Sequence, residues 1–518
     1  MTGSVTKPYL SFLFFLVGIL CIILCLHAPV KDFGNYYYGS KLWLDGKFSA
    51  EMYTSISYFN KQIASYGETR FFENYIPVPP FNAIFYTPFC LLKSLHAKLL
   101  FNLISLLLLC VSIERLQKKL KFHSWLLYLL PFIFFYPVYN NILQGQSYIL
   151  ITALLIEAFI STENKRILYP SILIGVSISL KIFPFILILY FILKKNYRMV
   201  TGILCSVLGF FLITLYALPK ETTQYYHTDV LPRLFNNDVV GAYYHGNQSV
   251  YTALLTAFSF DALSNSHPVI DSPFLVVVFE SLFFACVLAF LISIRKKDPF
   301  LVYALVVFAT ILLGRYTTSY GMMLLLPLAL AFLIEKNKSW QLICLFILIA
   351  ITVSLPVGSF AHLSFIWKFS RLWGLLLILL SIMFVCRIRP DLKSFVFILL
   401  PVFVFKYFSY PVKPADYFNL QNTKGILYDL RLNGDSLTLV STLGEKEFVE
   451  TYPLDKKADT TDLIIKDNNI YYKGSLICES KDNKRKAFKI NDSSVVFMSD
   501  LNQAVRFYKL RKLPLKKP

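Results

Sequence analysis

Apolar residues in this chain fall into long unbroken runs instead of alternating with polar ones, and most runs are closed by a basic or prolyl cluster. Runs near 9–28, 97–113, 124–139, 146–160, 167–180, 182–193, 199–218, 274–294, 299–313, 320–334, 340–356, 371–386 and 393–409 predict about thirteen membrane-spanning helices. Several are shorter than the roughly 20 residues a helix needs to cross a bilayer, so tilted or re-entrant pieces are expected among them. From about Ala415 the pattern changes to short β-prone runs (436–440, 463–465, 470–476, 494–498, 505–510) separated by Asp, Asn, Gly and Lys turns. These predict one compact sandwich or barrel. The expected architecture is an all-α polytopic membrane domain over 1–409, carrying long polar loops at 29–81 and 219–273, followed by a small soluble β-rich domain over 410–518.

Composition agrees with lipid as the main solvent: the chain has 518 residues, 56% of them hydrophobic and only 16% charged. A soluble surface could not be built from that mixture. The net charge of +20 does not indicate a nucleic-acid partner, because the basic residues sit in short groups between apolar runs. When the connections are counted alternately, the clusters Arg115/Lys118/Lys119/Lys121, Lys165/Arg166, Lys194/Lys195/Arg198, Arg295/Lys296/Lys297, Lys336/Lys338 and Arg387/Arg389/Lys393 all fall on one side. By the positive-inside rule that side is cytoplasmic. The long loops, the short connections around 139–146, 180–182, 314–321 and 357–367, and the β domain are then extracytoplasmic, as in a multi-pass protein of a bacterial plasma membrane. The first run has no small-residue cleavage site and reads as an uncleaved helix. Of nine cysteines, only Cys478 lies outside the apolar region, so neither a disulfide framework nor a metal site is expected.

The polar residues with chemical potential collect on the side that lacks the basic clusters. Asp32, Tyr36 and Gly39 follow the first span at helical spacing, which would aim one carboxylate and an aromatic platform, with Tyr37 beside it, into a common cleft. An interfacial acid with an aromatic belt is the alternative. The prolines in Tyr75–Asn82 predict a stiff re-entry into the membrane. Gln144, Gly145 and Gln146 put amides and a close-approach glycine at the end of a span, suited to hydroxyls or phosphate, or else to capping by Ser147. Lys181 is a lone cation on this side, placed either to hold a lipid phosphate or to snorkel. His245, Asn247 and Gln248 precede a helix start, and Arg315 with Tyr316 supplies a fixed charge and hydroxyls, either as a phosphate fork or as an interfacial anchor. No zinc-protease, P-loop, serine-hydrolase or dinucleotide motif is present, which disfavours an ATP-driven pump.

Taken in order, Asp32–Tyr38, Pro77–Phe81, Gln144–Gln146, Leu180–Pro184 and Asn247–Ser249 resemble the polyprenyl-phosphate-dependent membrane glycosyltransferases of the GT-C superfamily, specifically glycosyltransferase family 87, which includes bacterial mannosyltransferases. The resemblance spans about residues 9–390. It implies transfer, with inversion, of a hexose such as mannose from a polyprenyl-phosphate sugar to a lipid or glycan acceptor, with Asp32 as base. Tyr36, Tyr37, Gln144, Gln146, Lys181, His245, Asn247, Gln248, Arg315 and Tyr316 would then bind substrate. The family's late-span histidines are replaced here by Gly314–Gly321, and the β tail lies outside the resemblance. No cofactor is implied, and a divalent cation is left open. A transporter or flippase of a lipid-linked sugar is the rival expectation; it would call for paired broken helices and mid-membrane polar groups.

Overall fold

The structure, a computed structural model, describes residues 9–54, 56–68, 73–121, 125–235, 246–259, 265, 268–334, 340–360, 363–389, 391–409, 426–433, 435–443, 446–454, 462–466, 469–478, 484–491, 494–499 and 509–514. His245 and the segment 410–425 lie outside the described residues.

Each predicted apolar run is helical. Ser94–Leu120, Leu126–Gln144, Tyr197–Ala217 and Pro273–Ser293 are long and apolar enough to cross a membrane. The other runs form shorter apolar helices such as Leu168–Leu180, Phe183–Leu193 and Pro299–Leu313. The helices bury one continuous apolar core, including Leu109, Ile156, Tyr303 and Leu326. Outside it, Tyr216, Phe397, Leu400 and Phe408 stay largely exposed, which is stable only where lipid covers them.

Helix ends at the basic connections share a device. Lys121, Lys165, Lys195 and Arg387 take positive φ (51°, 58°, 55° and 49°) just past the helices Ser94–Leu120, Tyr148–Glu163, Leu187–Leu193 and Ser370–Val385. A left-handed residue stops each helix, and a cation there meets the negative end of the helix dipole. These connections also touch one another. Lys119 donates to Asn164, Lys194 donates to the carbonyls of Arg295 and Lys297, and Lys297 donates to the carbonyl of Cys386. The described basic connections therefore meet across the helix ends, as alternate counting required, while Lys336 and Lys338 lie outside the described residues.

The opposite end holds the polar loops. The first loop folds as helices Phe33–Leu44, Glu51–Thr54, Ile56–Ser65 and Phe81–Phe85 around an aromatic core of Phe33, Tyr36, Tyr53, Phe59, Tyr75 and Tyr86. Asn82, just after the prolines, donates to the carbonyls of Pro79 and Leu180, which ties the re-entry to the corner that bears Lys181.

Among the described residues the tail contains three antiparallel three-stranded meanders, each in sequence order: Ile426–Asn433 to Lys446–Pro453, Leu463–Lys466 to Ser475–Cys478, and Lys484–Asn491 to Lys509–Pro514. Side chains of Val496–Met498 alternate between two small cores. Val496 and Met498 pack with Leu430, Leu437 and Leu439, while Phe497 packs with Ile470 and Cys478. The third sheet thus lies between the other two.

Candidate functional site

Asp32 occupies the N-cap position of the helix Phe33–Leu44 but makes no side-chain capping bond. Its carboxylate instead receives the Gln146 amide, with Nε2 to Oδ2 at 2.7 Å. A carboxylate only accepts, so Gln146 must turn its NH2 toward Asp32 and its carbonyl toward Tyr36, whose hydroxyl donates to Oε1 at 2.8 Å. Tyr36 is stacked on Tyr86 with centroids 4.8 Å apart, and burial holds its phenol well above its ordinary range. It therefore remains a donor. The chain Tyr36–Gln146–Asp32 fixes one carboxylate oxygen and leaves the partly exposed acid able to take a proton on the other.

Gly145 makes this arrangement possible. It ends the helix Phe135–Gln144 at φ +69°, and a Cβ there would stand 2.5 Å from Cβ of Phe33. Both the turn and the approach of the two segments require glycine.

Lys181 caps the helix Leu168–Leu180 in extended conformation. Its ammonium lies 5.5 Å from the Tyr36 ring centroid and 5.8 Å from that of Tyr148. Burial pushes it down to about 8, against the opposing pull of Asp32. Among the described residues it forms no ion pair. Tyr148 stacks on Phe183 at 5.2 Å and meets Tyr320 at 5.3 Å, which completes an aromatic wall. A carboxylate and an ammonium gathered around the same rings could serve as a proton acceptor and a seat for an anion.

The other residues singled out in the sequence are occupied elsewhere. Arg315 does not offer an open fork: its Nε and Nη2 reach the two oxygens of Glu280 at 2.9 and 2.8 Å, its Nη1 donates to the carbonyl of Phe235, and its guanidinium lies 4.1 Å from the Tyr251 centroid. Lys406 donates to the same Glu280 at 2.7 Å. Asn247 is engaged by the carbonyl of Arg315, the Thr252 hydroxyl and the backbone N–H of Thr317, and Gln248 donates to the carbonyl of Lys368. These amides hold loop to loop. Tyr37 gives its hydroxyl to the carbonyl of Leu92. Gln144 is half-buried at its helix end, and Tyr316 is half-buried beside Tyr320, which in turn lies within electrostatic reach of Asp32 and Tyr148.

Tyr148, Tyr320, Glu280 and Lys406 were not among the expected site residues. Glu280 stood out in principle, as the one acid inside Pro273–Ser293, because an ionisable group in an apolar span needs a partner. Nothing in a linear motif marks Tyr148 or Tyr320.

The fold and the site define an integral membrane protein whose reactive groups gather at one end of a helical body, away from its basic connections. Residues 78–314 match the sequence model of glycosyltransferase family 87. Over this stretch, a little under half of its length, the chain is similar to that family. The match takes in Gln146 and Lys181, while Asp32 and Tyr36 precede it. No curated protein and no solved structure matches the chain.

Proposed function

We propose that the chain is a membrane glycosyltransferase, as its likeness to glycosyltransferase family 87 suggests, and that it moves a hexose, mannose-like in class, from a polyprenyl-phosphate sugar to a lipid or glycan hydroxyl on the extracytoplasmic side, in a GT-C-like fold. The observation that carries the proposal is the pairing of the Tyr36–Gln146–Asp32 chain with the ring-held ammonium of Lys181 at the end remote from the basic clusters.

In one displacement Asp32 takes the acceptor hydroxyl proton as that oxygen bonds to the anomeric carbon. The bond from that carbon to the phosphate oxygen breaks, and its electron pair leaves with the polyprenyl phosphate. Lys181 meets the charge that grows on the phosphate, and the rings of Tyr36, Tyr148 and Tyr320 line the sugar's path and exclude water. Attack opposite the leaving group inverts the anomeric centre. The amphipathic donor suits a site at the membrane boundary, and no metal step is needed.

Purified protein in proteoliposomes, given a panel of radiolabelled polyprenyl-phosphate hexoses, tests this reading. Transfer with inverted configuration is expected for one of them. Label that crosses the bilayer unchanged, without transfer, would favour the flippase reading instead.

A further inference from the structure

Lys98 lies in the first two turns of the spanning helix Ser94–Leu120, yet its side chain is almost wholly buried. Its ammonium pairs with no carboxylate among the described residues. It donates instead to two backbone carbonyls, Pro29 at 2.8 Å and Leu143 at 2.7 Å. Each carbonyl belongs to a segment that leads directly into the site: Pro29 is three residues before Asp32, and Leu143 is three residues before Gln146. Those two side chains meet at 2.7 Å. One buried cation thus holds both backbones from which the Asp32–Gln146 bond is built.

We propose that Lys98 is a positioning residue for transfer: a backbone clamp that sets the register between the Asp32 segment and the Gln146 segment without touching substrate. An ammonium has three donors on a compact head, so it can bridge two carbonyls that approach from different directions. Each of those bonds is charge-assisted and stronger than a neutral one. The neighbouring Asn102, one turn further along the same helix, donates at 3.1 Å to the carbonyl of Ile142 alone. It tethers one segment where Lys98 tethers two.

The proposal rests on the assignment of Asp32 as base, so its test includes a readout that does not depend on catalysis. Lys98→Met keeps the stem and removes the donors. Asn102→Leu serves as the control for loss of a buried donor from the same helix face. Amide hydrogen exchange of the full chain in lipid nanodiscs is followed over residues 29–36 and 142–148, together with transfer kinetics. Lys98→Met is expected to speed exchange in both segments at once and to lower kcat by about 10²-fold with donor KM little changed, as misplacement of a reacting group does. Asn102→Leu is expected to speed exchange only in 142–148. Unchanged exchange in both segments of Lys98→Met overturns the clamp. Should Lys98→Met fail to fold, Lys98→Arg keeps the charge but not the compact head; normal kcat together with faster exchange in both segments would then overturn the clamp, and reduced kcat with that exchange pattern supports it. Faster paired exchange alongside normal transfer by Asp32→Asn would leave the clamp standing and remove the base assignment instead.

Discussion

A carboxylate that accepts an amide on one oxygen is aimed as well as charged, and the Asp32–Gln146 bond is therefore expected to matter in two separable ways. Gln146→Leu leaves the acid in place but free to rotate, and kcat should fall by about 10–10²-fold with the fold retained. Gln146→Glu sets a like charge against Asp32, which raises the proton affinity of the pair and should move the acid limb of the pH–rate profile upward. An unchanged profile in the second variant would separate Gln146 from the base. Lys181 gives a prediction of opposite sense. Burial lowers its ammonium to about 8, so the cation proposed to bind the donor phosphate is present below that pH and disappears as pH rises through it. Donor KM should rise above about pH 8, and Lys181→Arg, which stays charged, should flatten the rise. Asp32, Tyr36, Gln146 and Lys181, which the structure brings together, could be singled out because each lies in a short motif or at helical spacing. Arg315 was left open between a phosphate fork and an interfacial anchor because its partner Glu280 is far away in sequence, and no local pattern records such a pair.

At the scale of elements, the turn at Gly145 is the point of least tolerance. Gly145→Ala must hold a left-handed backbone, at a cost of about 1–2 kcal/mol, and must also displace Phe33. It should lower thermal stability and transfer together, whereas alanine at Gly46, which has positive φ but open space around it, should lower stability alone. Helix positions were readable because a lipid-facing helix has to be apolar along its length. The lengths explain why the count of crossings was less readable, since many of the helices are shorter than a bilayer. The tail was recognisable as β from its short β-prone runs between turn residues, but its division into three small sheets depends on which face of Ser494–Ser499 meets which neighbour. Both faces of that strand are apolar, so alternation does not distinguish them.

For the molecule as a whole, Glu280 joins three distant parts of the chain, the helix Pro273–Ser293, the loop bearing Arg315 and the helix Leu392–Ser409. Removing the acid strands two buried cations, so Glu280→Ala should destabilise the protein by about 3–5 kcal/mol in thermal or denaturant unfolding, more than Lys406→Met. The separation of the basic connections from the polar loops was visible in the charge pattern because retention of positive charge acts on short loops, one span at a time. What charge could not show is how the polar end is assembled from the first loop, the Gln146 turn and the Lys181 corner. The measurement that bears most directly on this assembly is transfer of radiolabelled hexose from its polyprenyl-phosphate donor by purified Asp32→Asn beside the unaltered protein. A folded, membrane-inserted variant with transfer below about one per cent is expected. Near-normal transfer by that variant would remove Asp32 as the base.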